Sequence, residues 1–278
     1  MLSIKLPGRL RHYNNNLDMA DLPLLTLEPT RHPGCCLSLS EPLLATIRTL
    51  LDSAPHLNKK SYDGHKPELE PEPEPALILS IGSGTGLLEE LLHVYLNNDD
   101  HLSINSNSAE NWRVEGVEVN AAVNIYLPED RINHVLGTWA VLETRAREAA
   151  ALMFVYPRDG ALVRRYINAF MTSSTRAGDR HGESESDREN KVEGGYVANS
   201  SNQGVNHEDH SKDGDEIRRN PRKGVRLVVW LGPKCDWDDT GLRSVHTNNE
   251  FEVLEMRHDV GLADYEMLAV LKQKTTSM

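Results

Sequence analysis

Residues 76–92 read ALILSIGSGTGLLEELL. The apolar run Ala76, Leu77, Ile78, Leu79 and Ile81 is short and suits a strand covered on both faces. Gly82, Gly84 and Gly86 then alternate with Ser83 and Thr85. Glycine admits positive φ and lets a ligand approach the backbone closely. Leu87, Leu88, Leu91 and Leu92 follow at helical spacing, with Glu89 and Glu90 in the first turn, where the helix dipole favours negative charge. A strand, a glycine turn and a helix N-terminus together predict a ligand site at the carboxyl end of a sheet. The spacing is G-x-G-x-G. A dinucleotide fingerprint would need Gly or Ala where Leu87 stands, and a P-loop would need a Lys-Ser/Thr pair that does not follow.

Downstream, Trp112–Val119 reads as a second strand ending near Glu118. A carboxylate there suits a ribose, because it accepts hydrogen bonds from both vicinal hydroxyls and its charge strengthens each. A helix is expected over Asn120–Leu127 and a short strand over Ile132–Leu136, followed by the turn Gly137-Thr138-Trp139. Ala140–Ala151 has helix-forming composition, with Glu143 and Arg147 paired at i,i+4. Ala151–Tyr156 is a fourth strand stopped by Pro157, and a helix follows around Ala161–Phe170. Gly224–Leu231 is a fifth strand. Phe251–Met256 and Glu266–Leu271 make a final pair joined through Gly261, a natural hairpin. Asp236, Trp237, Asp238 and Asp239 form an acidic patch, read as a cap and surface, a substrate rim or a partner surface.

Upstream, residues 1–34 carry scattered prolines and the run Asn14-Asn15-Asn16, and read as an irregular arm. A helix then opens with Ser40 as its N-cap and Pro42 in the first turn, and Leu43, Leu44, Ile47, Leu50 and Leu51 form its apolar stripe. Residues 58–75 are a Pro/Glu-rich linker. Residues 97–111 read as a loop insertion. The tract from about 173 to 222 is almost free of apolar residues, and the expectation there is disorder. The organisation expected is an arm and helix over 1–57, the linker, and one domain over 76–274 with that insertion.

Composition narrows the classes. Hydrophobic residues make up 38% of the 278 and the formal charge is −12, which disfavours nonspecific nucleic-acid binding through phosphate neutralisation. Three cysteines, Cys35, Cys36 and Cys235, give no disulfide framework and no zinc spacing, which suits a reducing compartment. No run reaches the roughly 18 apolar residues of a membrane span, and the N-terminus lacks a secretory h-region. The expected location is cytoplasmic, with the nucleus or an organelle as alternatives.

The glycine segment resembles motif I of class I S-adenosylmethionine-dependent methyltransferases. Order of elements extends the resemblance over about 76–172 and 222–274. It implies a Rossmann-like three-layer α/β/α sandwich with a mostly parallel seven-stranded sheet and an antiparallel last strand. It also implies S-adenosyl-L-methionine as cofactor, held by Ser80, Gly82, Ser83, Gly84, Thr85 and Gly86 near the methionine end, by Glu118 at the ribose, and by Thr138 and Trp139 at the adenine. Tyr156, Arg158 and Asp159 would face an acceptor of unknown identity, with Asp159 a candidate general base, and the segment Cys36–Ser40 could form part of a lid. Two positions depart from the family: it often has Asp or Glu where Ser80 stands and an acid where Thr138 stands. The alternatives are a catalytically degenerate methyltransferase-like binding protein and an NAD(P)-dependent oxidoreductase.

Overall fold

The computed structural model describes residues 21–53, 74–98, 111–171, 226–242 and 251–274. The linker over 58–73, the loop over 99–110 and the low-complexity tract lie outside them. Among the described residues no helix is long and apolar enough to cross a membrane.

A two-stranded ribbon comes first, β1 (Thr30–Arg31) paired antiparallel with β2 (Ser38–Leu39). This replaces an irregular course at the end of the arm. Helix α1 (Glu41–Ser53) follows. Ser40 caps it as expected: its hydroxyl accepts the N–H of Leu43 at 3.3 Å and donates to the Gly261 carbonyl at 2.6 Å.

The main sheet contains β3 (Ala76–Ile81), β4 (Trp112–Glu118), β5 (Ile132–His134), β6 (Ala151–Val155), β7 (Leu227–Pro233), β8 (Phe251–Arg257) and β9 (Glu266–Gln273). Their order is β5-β4-β3-β6-β7-β9-β8. The first five are parallel, and only β9 runs against the rest, between β7 and β8. This is the expected three-layer Rossmann-like sandwich. Alternation along the strands sends Ile78, Val114, Met153, Val229 and Val270 into one core with α1 and α2 (Leu87–Asn97). Leu79, Leu152, Phe154, Val228 and Trp230 enter the other, with α3 (Glu143–Glu148) and α4 (Gly160–Met171). Both faces are therefore covered, which is why these strands read as continuous apolar runs.

Three local expectations change. Residues 120–127 form no α-helix, only a 3-10 turn at Ala121–Val123. Asn120 accepts the N–H of Ala122, and the Asn124 side chain bonds both the N–H and the carbonyl of Leu127; such side chains compete with the helical ladder. Helix α3 is shorter than its composition suggests, because buried Arg226 donates to the carbonyls of Ala146, Arg147 and Ala149 at its C-terminus and the Ala150 N–H turns to the Leu77 carbonyl. Trp237 is not a surface aromatic. It is buried edge-to-face on Trp230, with ring centroids 5.2 Å apart, so the acidic patch has no exposed aromatic at its centre.

Replacing Ser40 with Ala removes both the cap and the tie to Gly261. The expected cost is about 1–2 kcal/mol, read as a lower denaturant midpoint at unchanged slope.

Candidate functional site

The carboxyl ends of β3, β4, β5 and β6 converge. Connections from β3 run one way to β4 and β5 and then cross back to β6 and β7, so β3 and β6 flank a topological switch point, where open α/β sheets bind ligands. The glycine loop sits at the end of β3. Gly82, Gly84 and Gly86 take φ of 80°, 56° and 78°, the conformation that requires glycine. At Gly82 a side chain would meet open space, whereas at Gly86 it would run into Leu127 and Asn124.

The loop is held from within. The N–H groups of Gly82 and Ser83 donate to the Val117 carbonyl at 2.9 and 3.2 Å, and that of Gly86 to the Ser83 carbonyl at 3.0 Å. The Gly84 N–H donates to Glu118 Oε2 at 2.9 Å. These four N–H groups are already taken, which leaves a phosphate only those of Thr85 and the first turn of α2. Glu118 Oε1 also accepts the N–H of Val119 at 2.8 Å and of Asn120 at 3.2 Å. These bonds fix the carboxylate; Oε1 already takes two donors, and Oε2, with one, keeps lone-pair capacity for a hydroxyl donor.

The other sequence candidates divide. Ser80 is fully buried and its hydroxyl donates to Glu89 Oε1 at 2.6 Å, so it acts through Glu89. Thr85 serves the scaffold: its hydroxyl donates to the Gly34 carbonyl at 3.3 Å and its own carbonyl accepts the N–H groups of Ile125 and Tyr126. Thr138 and Trp139 lie on the turn after β5, where the Val135 N–H binds the Glu118 carbonyl. Trp139 is no core residue, being 63% exposed; its indole lies over Gly137.

Tyr156 follows β6 with φ of 50°, the sole non-glycine among the described residues in the left-handed region, a strain that concentrates at functional sites. Its hydroxyl donates to Glu266 Oε1 at 2.5 Å. Burial, then the bond to Glu266, raises its pKa, so the phenol stays protonated. Arg158 is exposed. Asp159 Oδ1 accepts the Ala161 N–H at 2.8 Å, which makes it the cap of α4.

Four residues carry more of the site than the sequence suggested. Glu89, read only as an acid that suits the helix dipole, is fully buried and its Oε2 has no hydrogen-bond partner among the described residues. Burial pushes its pKa up to about 7, opposed by the Ser80 bond and by its own backbone N–H, with Glu118 adding to the rise. Glu266 accepts from the N–H groups of Ser38 and Ala263 as well as from Tyr156. Arg165 donates to the Trp139 carbonyl at 2.9 Å and lies 3.8 Å from Asp159, joining the turn after β5 to the start of α4. Gly34 brings its carbonyl over the glycine loop, so the segment before Cys36–Ser40 lies over the site. Of these only Glu89 had a signal, as an acid at i+3 from the last loop glycine.

No protein-family model matches this sequence, and no curated protein matches it. Several solved structures of similar fold are methyltransferases. A precorrin-6y C5,15-methyltransferase from Geobacter metallireducens GS-15 is 9% identical, with 89% of this chain and 94% of that one covered and a TM-score of 0.39. The ribosomal protein L11 methylase of Lactobacillus delbrueckii subsp. bulgaricus is 8% identical, covering 73% and 72%, with a TM-score of 0.36. Trm5b from Pyrococcus abyssi is 14% identical, covering 88% and 55%, with a TM-score of 0.35. With likeness at this level, the ground for the fold is the sheet order itself.

The Glu89 carboxyl makes a pH prediction. In the folded protein it holds its proton between 4.5 and about 7, a range in which the unfolded chain has released it. Its contribution therefore favours the folded state at the low end of this window and is lost as pH rises through 7. For a fully buried group this amounts to something on the order of 3 kcal/mol. His93 has the opposite sign: burial and Arg131 lower its pKa to about 4, so its contribution is lost as pH falls below 6.5. Subtracting the Glu89→Gln unfolding profile from the wild type cancels His93. The expected difference is a relative stability of the wild type that declines from pH 5 to pH 8, measured without ligand by denaturant titration.

Proposed function

We propose that this protein is an S-adenosylmethionine-dependent methyltransferase whose acceptor is unidentified. One observation carries the reading: a glycine loop at the switch point has the N–H groups of Gly82, Ser83, Gly84 and Gly86 turned inward and is flanked by the carboxyl groups of Glu118 and Glu89. Such a site disfavours a dinucleotide diphosphate and favours a ligand that brings hydroxyls and positive charge. S-adenosylmethionine has a ribose, an ammonium and a sulfonium. The residues fit it on three counts: open space at Gly82, an anchored carboxylate at Glu118, and the buried Ser83 Oγ and Glu89 Oε2, which have no hydrogen-bond partner among the described residues.

The cofactor, when bound, supplies a methyl group already activated on sulfur. The chain supplies position. Glu118 Oε2 would take a ribose hydroxyl, and the Cα surface of Gly82–Gly86 would lie against the methionine arm. Thr138 and the exposed face of Trp139 would flank the adenine. Tyr156, kept protonated, would orient rather than take a proton. Arg158 would offer charge to an anionic acceptor. Asp159 already caps a helix, which leaves a general base unassigned and suits an acceptor that is nucleophilic without one. That same feature favours, as a second reading, a binding protein that has kept the cofactor site and lost turnover.

Thermal unfolding with S-adenosylmethionine, S-adenosylhomocysteine and NAD in parallel tests the proposal. Ligand at about 100 times its dissociation constant adds about 2.7 kcal/mol. A rise in Tm is expected with both sulfur ligands, none with NAD, and loss of the rise in Glu118→Ala. A rise with NAD alone would establish the oxidoreductase, and no rise with any ligand would overturn cofactor binding.

A further inference from the structure

Glu89 stands apart from the other buried acids. Glu115 is answered by Arg113, Arg145 and Asn133, and Glu266 by two backbone N–H groups and two tyrosine hydroxyls. Glu89 has one oxygen on Ser80, while the other makes no hydrogen bond of good geometry among the described residues; apart from Ser80 only its own backbone N–H favours the charged form. A buried carboxylate oxygen without a partner is costly unless it is protonated or meets a cation.

Its surroundings specify the missing partner. Ser80 lies beside Gly116 in the sheet register. A side chain at Gly116 would run into Ser83 Oγ, a second buried side-chain oxygen without a partner among the described residues. Both orphan groups thus lie at the carboxyl ends of β3 and β4, on the α2 face and against the glycine loop. The groups bearing electrostatically on Glu89 are Glu118, at the end of β4, and Cys35, on the segment above the loop, whose thiol burial pushes up to about 12 and which Glu89 affects in turn. None of these is a cation. One acceptor oxygen, one hydroxyl and surplus negative charge match a primary ammonium.

We propose that Glu89, presented by α2 and oriented by Ser80, is the acceptor for the α-ammonium group of the cofactor's amino-acid end, with Ser83 Oγ as a second acceptor. The inference rests on the cofactor reading above and specifies which part of that ligand this acid recognises. Binding at neutral pH and below exchanges one proton for one cation: the neutral Glu89 carboxyl releases its proton to solvent, and the resulting carboxylate accepts from the ammonium, whose own protons stay in place. The charged form is then favoured by an opposite charge at contact distance.

Isothermal titration calorimetry separates this inference from the reading beneath it. The probes are S-adenosylhomocysteine, which has the amino-acid end, and 5′-methylthioadenosine, which keeps adenosine and sulfur but lacks it. Glu89→Gln should weaken S-adenosylhomocysteine at least tenfold and leave methylthioadenosine within twofold. Titrating wild type at pH 6.5 in buffers of different ionisation enthalpy should reveal proton release with S-adenosylhomocysteine and none with methylthioadenosine. This second measurement needs no variant, so it stands even if Glu89→Gln folds poorly. If both probes bind the wild type and neither the variant nor the buffers discriminate between them, Glu89 holds only a proton or a water and the ammonium assignment fails while the cofactor reading stands. If neither probe binds the wild type, both fall.

Discussion

The Glu266 carboxylate is the point at which separate parts of this chain are joined. It accepts from Ser38 in β2, from Ala263 ahead of β9, from Tyr156 after β6 and from Tyr265 beside it. These donors lie up to 228 positions away in sequence. A carboxylate withdrawn from water needs such a set, and charge-assisted bonds are the strong ones. Because Glu266 is fully buried, its donors cannot drift to solvent. The segment before α1 is consequently held against the sheet end, and the Gly34 carbonyl meets Thr85. The strained backbone at Tyr156 is stabilised by the same carboxylate.

Charge distribution around the glycine loop follows a different logic. Elsewhere the buried charges are matched: Glu115 with two arginines, Glu90 with Arg131, Arg226 with three carbonyls and the Phe170 ring at 3.7 Å. At the loop Glu89 and Glu118 lie close together with no cationic side chain bonded to either among the described residues, and four loop N–H groups are already taken. A fold optimised for stability alone would neutralise that surplus. Leaving it unmatched lowers the stability of the unliganded protein and raises the gain on binding a positively charged molecule, a common trade at functional sites.

The fold was largely legible in the sequence because its signals are local. Apolar runs marked β3, β4, β6, β7 and β9, and the glycine spacing marked the turn at β3. Ser40 and Gly86 marked helix starts. Asn120 and Asn124 misled, since their helical context was outweighed by side-chain bonds to the backbone that depend on neighbouring loops. Trp237, set among acids in the sequence, is buried while Trp139 is exposed, because exposure of an aromatic depends on what tertiary packing places beside it. The site was legible only where one segment carries it. Glu118 could be read at a strand end, but Glu266 and Arg165 act on residues far away in sequence. Glu89 had the right spacing and the wrong assignment: a helix-start acid is usually solvated, and only the sheet beneath it makes it interior.

The two ends of the main sheet have a consequence for behaviour at high concentration. An exposed strand edge is a template for another chain. One edge here, β5, is three residues long. The other, β8, carries Glu252, Glu255 and Arg257 and breaks register between Val253 and Glu255. The bulge falls where Leu254 and Met256 are partly exposed, next to the apolar side chains that would otherwise favour edge-to-edge addition. A flat, regular β8 would offer a continuous row of backbone groups with hydrophobic flanks. As built, a second molecule approaching either edge meets a short stub or a charged, irregular strand, which opposes runaway sheet growth between molecules.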